Sequence, residues 1–377
     1  MRLKTDWVLF FTIVAMVCLG LVMVYSASSV VAELKFNSSS HFVVRQLGWA
    51  VISFSVLMYF RRTDYRLLCS PTWAFGSLGV VLLMLVTVYF LDWKNHRWFK
   101  LAGFSLQPSE FAKPALVIFL AYFITRRRND VNSRYTLWPA ALSIIILALC
   151  VVIADLGTAV VLVLTAAAVF HVAGLDRRFF IAALAVGAIL AAGAVVSKPY
   201  RAGRIIAFVD PSGELLDRFD PNGTLKNYMH RAETAHDPTY QARQSKIAVG
   251  SGGPLGLGLM EGKQKILYLP EAHTDFIYAV VGEELGLWGT TAVLAGFLII
   301  LWRGLQLVWT APDDFGRYLA IGVTATIVIQ AFINMSVVLD IAPTKGIPLP
   351  MISSGGSSLV STLTSLGILL SVGEHAG

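Results

Sequence analysis

The stretch Tyr268-Leu-Pro-Glu-Ala-His-Thr-Asp275-Phe-Ile-Tyr-Ala-Val-Val-Gly282-Glu-Glu-Leu-Gly286 sets two acids and a histidine where a long polar segment turns into an apolar helix. The apolar run that follows is one of many blocks of about 20 residues, the length needed to cross a bilayer. With 56% hydrophobic and 14% charged residues among 377, and a mean hydropathy of +0.68, the chain does not read as a soluble globule. It reads as an all-α polytopic membrane protein, a single integral membrane domain over residues 1–377. The net charge of +7 does not mark a nucleic-acid binder, because the basic residues fall mainly in short loops between spans, where they set orientation. Cys18, Cys69 and Cys150 lie in or beside apolar segments, too scattered for a metal site or a disulfide framework. Residues 5–26 are too long and apolar for a cleaved signal peptide and read as the first span.

Outward from the junction, ten spans are expected. They cover about 7–26, 42–60, 75–91, a fourth that starts after Pro108 and reaches Ile124, then 137–153, 158–173, 179–196, 276–301, 319–339 and 358–372. Pro108 suits a helix's first turn, and Pro114 predicts a kink. Arg126-Arg-Arg128 with Arg134 forms the densest basic loop, which the positive-inside rule places in the cytoplasm with both termini. Residues 197–274 then become a large extracytoplasmic loop, and a loop that long is usually functional.

Ionisable groups at the edge of a bilayer are expensive and are candidates for function by default. Five clusters fall on the outer side. Glu271, His273 and Asp275 form the first; Asp275 reads either as a helix cap or as a base within reach of a substrate hydroxyl. In the second, Arg97-Trp98 precedes Gln107-Pro-Ser-Glu110-Phe-Ala-Lys113, whose acid and lysine stand three apart on one helix face, as an ion pair or as a means of aiming Lys113 at an anion. The third, Asp155-Leu-Gly-Thr158, has the form of a polar helix start. The fourth, from Gln244-Ser-Lys246 to Gly258, is glycine-rich but follows no strand and lacks a Walker lysine, which excludes a nucleotide site and leaves a re-entrant bend. The fifth, Pro343-Thr-Lys345-Gly-Ile-Pro-Leu-Pro350-Met-Ile-Ser353, keeps its backbone non-helical near membrane depth, where such backbone must line a cavity or be buried in protein. Arg97, Lys113, Arg201, Arg204, Lys246 and Lys345 thus gather against the usual charge bias, which suits an anionic substrate.

These stretches resemble the SEDS family (shape, elongation, division and sporulation) of membrane glycosyltransferases. The resemblance spans nearly the whole chain: Val24-Tyr-Ser-Ala27, Gln107-Pro-Ser-Glu110, Asp155-Leu-Gly-Thr158, Tyr240-Gln241 with Gln244-Ser245, Leu269-Pro-Glu-Ala-His-Thr-Asp-Phe276, and Thr344-Lys-Gly346 through Ser358. Pro-Glu-Ala-His-Thr-Asp275, Pro-Tyr-Arg201 with Arg204-Ile and Phe208, and Pro343-Thr-Lys-Gly346 are more similar to the division branch than to the elongation branch. The resemblance implies polymerisation of lipid II into peptidoglycan strands outside the cytoplasmic membrane of a bacterium. It also implies a class B penicillin-binding protein and other divisome membrane proteins as partners. The family's catalytic acid falls on Asp275, and its charged positions on Arg97, Glu110, Lys113, Asp155 and Lys345. Gln244, Ser245, His273 and Ser353 complete the substrate-binding set. The chain departs from the family at Met260, Gly262, Ser336, Asp340 and Ser354, and residues 213–236 read as an insertion.

For such a reaction the number of acids matters. A glycosidase needs two carboxylates, since its leaving alcohol must be protonated. A lipid diphosphate leaves as a stable anion, so one general base suffices while cations, with or without a divalent ion such as Mg or Mn, neutralise the leaving group. No organic cofactor is expected. A lipid-precursor flippase would share the helix count and broken segments, but no inverted repeat is visible and the charges gather outside rather than at the midplane. A division scaffold is the third alternative.

Overall fold

The computed structural model describes residues 5–92, 96–101, 104–197, 199–210, 238–266 and 268–375. The expected insertion at 213–236 lies outside them. The described residues form twelve α-helices and one hairpin: α1 (Trp7–Phe36), α2 (His41–Arg62), α3 (Pro71–Leu91), β1 (Phe99–Leu101), β2 (Phe104–Leu106), α4 (Pro108–Thr125), α5 (Arg134–Ala154), α6 (Leu156–Val172), α7 (Arg177–Val196), α8 (Pro199–Val209), α9 (Pro238–Gly252), α10 (Ile277–Thr310), α11 (Asp314–Val338) and α12 (Gly356–Glu374). All ten expected spans are helical. Eight of them (α1, α2, α3, α5, α7, α10, α11 and α12) are long and apolar enough to cross a membrane. Of the other two, α6 is a shorter apolar helix, and α4 carries Glu110 and Lys113 inside the bundle.

Local chemistry sets the helix starts. Asp6, Ser70, Asp155 and Asp313 each accept a backbone N–H of their own first turn. Pro71 and Pro108 occupy first-turn positions, where the missing N–H is not needed. At the centre α11 packs against α10, α4, α6 and α12, and α2 lies along α12. α4 is buried along nearly its whole length, whereas no residue of α7 is buried.

Three features depart from the sequence reading. A two-stranded antiparallel hairpin, with Phe99 opposite Leu106, precedes α4. The segment expected as one long loop contains α8 and α9. Third, α10 is broken at Gly286 (φ 63°, ψ −154°), where the 252–258 turn docks. Leu257 N and Gly258 N donate to the carbonyls of Glu283 and Glu284 at 3.0 Å, and Leu287 N donates to Gly253 O at 3.0 Å. The glycine-rich turn is therefore a re-entrant bend whose N–H groups satisfy opened helix backbone.

The acids at this break are buried and fully engaged. Glu284 pairs with Lys265 Nζ at 2.5 Å and accepts Ser26 Oγ at 2.7 Å. Glu283 accepts the N–H groups of Lys263 (2.7 Å) and Gln264 (3.0 Å). A Cβ at Gly286 would run into Gly256 N and lie 2.8 Å from Gly253 O. Gly286→Ala is accordingly expected to destabilise the fold by about 1–3 kcal/mol, since the conformation is open only to glycine. Gly193→Ala on α7, where nothing stands within 4 Å, should leave stability unchanged. Thermal unfolding of both variants in detergent checks this.

Candidate functional site

The site is built where α10 begins. The turn from Glu271 to Phe276 closes on itself through Thr274 N and Phe276 N, both donating to Glu271 O. Two bonds then sew that turn to the non-helical segment after Pro343, and a third, within that segment, aims the serine that makes one of them. Ser353 Oγ donates to Thr274 O at 2.6 Å, Ser354 N donates to His273 O at 3.0 Å, and Leu349 N donates to Ser353 Oγ at 2.7 Å. From α11, Asn334 Nδ2 donates to both Asp275 O and Ile347 O, each at 2.7 Å. One turn earlier on the same helix, Gln330 Nε2 donates to Pro348 O at 2.8 Å. Its Oε1 accepts Lys113 Nζ at 2.6 Å, and Lys113 also pairs with Glu110 at 2.7 Å. Ser361 Oγ fixes the carbonyl of Glu110 at 2.7 Å.

These braces locate Asp275 through its main chain and leave its side chain alone. α10 takes Phe276 as its N-cap residue, without a side-chain cap bond, so Asp275 is not the helix cap. Among the described residues no donor binds its carboxylate. Gly346 faces it so closely that a Cβ there would lie 2.7 Å from Oδ2. Burial pushes the Asp275 carboxyl up to about 7; Arg97 and Arg204 pull it down, and Glu271 and Asp155 raise it further. The group is thus a base above neutrality and an acid below it.

Cations stand around it. Arg97, on the chain entering the hairpin, lies 3.6 Å from Asp155 Oδ2. Asp155 caps α6, its Oδ1 accepting Gly157 N at 2.8 Å and its Oδ2 accepting Thr158 Oγ1 at 2.8 Å. Lys345 lies near Asp155, Arg201 and Arg204, and burial lowers its pKa. Arg204 reaches Thr344 O at 3.4 Å. Three polar atoms in this neighbourhood, Arg97 Nε, Thr344 Oγ1 and Asn334 Oδ1, are buried without a hydrogen-bond partner. Orphans of this kind are rare in folded proteins and mark a place where a ligand or water belongs.

Of the remaining expected residues, Glu110, Lys113 and Ser245 brace the frame. Lys113 and Glu110 are both buried, and the lysine's charge is spent on Glu110 and Gln330, so it braces Pro348 rather than facing a ligand. Ser245 Oγ donates to Val338 O at 2.7 Å and ties α9 to α11; Gln244, its neighbour, is half-buried. The His273 ring tilts against Phe42 at 4.9 Å, and burial lowers its pKa. Sequence reasoning missed Asn334 and Gln330. Their spacing of four on an apolar helix was the available signal, since two amides on one face inside a bundle need partners. No group of three or more His, Cys, Asp or Glu converges among the described residues. The described residues thus form no protein-only cage for the divalent ion considered above.

With this geometry in place, comparison with known proteins decides the lineage. Residues 6–377 match the family model FtsW/RodA/SpoVE, described as "Cell cycle protein". The chain belongs to this family. It is 39% identical over 380 residues to the probable peptidoglycan glycosyltransferase FtsW of Geobacter sulfurreducens, covering 98% of this chain and 95% of that one. It is 35% identical over 382 residues to stage V sporulation protein E of Bacillus subtilis, covering 100% and 98%. Among solved structures it resembles a chain from a study of polymerization and crosslinking coordinated by a peptidoglycan synthase complex, with TM-score 0.74, 25% identity and 98% of both chains covered. It also resembles the rod shape determining protein RodA of Thermus thermophilus, with TM-score 0.65, 25% identity and 98% and 97% covered.

The charge state of Asp275 is directly testable. Infrared difference spectra between wild type and Asp275→Asn should show a protonated carboxyl band at pH 6 that fades by pH 8, with a midpoint near 7. A midpoint near the ordinary carboxylate value would contradict the buried, donor-free setting.

Proposed function

We infer that the chain is a peptidoglycan glycosyltransferase that joins lipid II units into glycan strands during cell division. One observation carries the assignment of roles: a carboxylate with no hydrogen-bond donor among the described residues, and a pKa raised to about 7, stands beside Arg97 and Arg204. Asp275 takes the proton of the acceptor sugar hydroxyl. That oxygen forms the new glycosidic bond at the donor's anomeric carbon, from the face opposite the diphosphate, so configuration inverts. The carbon–oxygen bond to the diphosphate breaks, and its electron pair leaves with the phosphate.

Arg97, Arg204 and Lys345 neutralise the departing lipid diphosphate, work that preorganised cations do without reorganisation during the reaction. Asn334 and Ser353 hold the Asp275 turn, and Glu110, Lys113 and Gln330 hold the facing segment. His273, Gln244, Ser245 and Asp155 shape the surrounding walls. A Mg or Mn ion would take most of its ligands from substrate phosphates and water, and no step above is routed through one.

The basic loop at Arg126–Arg128 lies at the end of α4 opposite Lys113, which supports an orientation with that loop and both termini in the cytoplasm and Asp275 outside. The polymerising and crosslinking complex that the fold resembles supports a class B penicillin-binding protein as partner, alongside other divisome membrane proteins.

Purified protein given labelled lipid II in detergent, where no sidedness exists, should yield polymer, a result a flippase cannot produce. Asp275→Asn should abolish it with the fold intact, and a fully active variant would sink the role. The wild-type rate should rise with pH through about 7, because only the ionised carboxylate accepts the proton. Asn334→Ala should lower kcat by about tenfold to a hundredfold, the range for a catalytic group displaced by an ångström.

A further inference from the structure

At the end of the bundle away from Asp275, a cavity of about 510 Å³ opens between the end of α4, the end of α10 and the start of α11. Arg317 and Asn334 stand 17 residues apart on α11, which puts the cavity about 25 Å from the site. Thr125, Arg128, Trp309, Asp313, Asp314 and Arg317 line it. Its size falls within the range of small-ligand sites.

The lining holds two arginines and two aspartates, but one aspartate is taken by Arg66 from outside it. Asp313 is consumed: it accepts Tyr65 Oη at 2.5 Å, Arg66 Nε at 3.2 Å and Gly316 N at 2.7 Å. Asp314 is matched by Arg128 at 2.6 Å. Arg317 has no acid. Its guanidinium lies over the Trp309 ring, 5.8 Å from the centroid, and its Nε is buried without a hydrogen-bond partner. A desolvated, unpaired guanidinium donor is costly unless an acceptor completes it. The acceptor that suits a planar donor fork is a phosphate or carboxylate oxygen.

The surroundings favour phosphate on a lipid. Trp309 is 77% exposed, as an aromatic at a headgroup boundary is. Arg126 and Arg127 line a neighbouring cavity of about 360 Å³ with Phe75, Tyr122 and Phe123, so cationic and aromatic surface continues past the first pocket. Basic pockets between membrane helices with this composition receive anionic headgroups. We propose that the cavity lined by Arg317, Arg128 and Trp309 binds the phosphodiester headgroup of an anionic phospholipid, a site separate from the one where sugar transfer occurs.

The test reads binding rather than polymer synthesis, so it stands or falls apart from the proposed activity. Full-length protein in neutral detergent is titrated with phosphatidylglycerol, phosphatidylcholine or inorganic phosphate, and thermal unfolding is followed. Phosphatidylglycerol should raise the melting temperature saturably, with phosphatidylcholine and inorganic phosphate doing little. Arg317→Gln should weaken the half-saturation by about tenfold, the scale of one charged hydrogen bond. Arg134→Gln, at an exposed arginine outside the cavity, should not change it. Asp314→Asn frees Arg128 and should tighten binding severalfold, which keeps the test decisive if the Arg317 variant fails to fold. Equal responses to the two lipids, an Arg317→Gln variant that binds like wild type, or an Asp314→Asn variant that binds no tighter would each overturn the proposal. Saturation by inorganic phosphate alone would replace the lipid with a free anion.

Discussion

Everything at the site follows from holding irregular backbone inside a bundle of membrane helices. From Pro343 to Gly355 the chain forms no helix, yet its amides and carbonyls lie where water is scarce, and each needs a partner. Side chains from helices supply them. Asn334 and Gln330 serve Ile347 and Pro348, and Gln46 of α2 accepts Gly355 N at 3.2 Å. Asn334 and Ser353 also grip the turn carrying Asp275. Solving the backbone's problem therefore fixes the acid's position, without drawing its carboxylate into any bond.

The acid's chemistry is the reverse face of that arrangement. Elsewhere the chain buries carboxylates by completing them: Glu284 has Lys265 and Ser26, and Glu110 has Lys113. Breaking such a pair leaves an uncompensated charge that costs about 3–5 kcal/mol, so these acids act as braces. Asp275 is half-buried and, among the described residues, has no donor; its charge is eased only by arginines beyond hydrogen-bond range. Holding a proton up to about pH 7 is the remaining way to lower the cost. Two kinds of sheltered acid thus stand side by side, the paired ones as architecture and the unpaired one as the group to which we assign proton transfer.

This division also explains what could be read before the structure. The ten helices, the Asp155 cap and the Glu110–Lys113 pair are local, governed by apolar run length and by spacings of two to four residues. Ser245, Ser353 and Lys113 stand in motifs of the family and read as substrate contacts; which of them spends its donors on a distant carbonyl depends on partners 79 to 217 residues away. The break in α10 was hidden for the same reason. Glu283, Glu284 and Gly286 look like polar interruptions of one helix until the 252–258 turn is placed against them. α8 and α9 were missed because their sequence lacks the apolar run that marked the spans, and the hairpin because three-residue strands leave no periodicity to detect.

In the reaction we propose, Arg97 shows why a single acid is enough. Asp155 holds it only at 3.6 Å, since that carboxylate is already committed to Gly157 and Thr158 at the start of α6. Its Nε remains buried and unpartnered. A cation held in place by a partner too occupied to neutralise it keeps its field and its donors for an incoming anion, and in a low-dielectric wall that field is strong. A leaving diphosphate develops charge just as such a donor can accept it, so no second carboxylic acid is needed to protonate it. Were Asp155 free to close on Arg97 with both oxygens, the guanidinium would become one more brace, and the proposed reaction would lose the cation we assign to its leaving group.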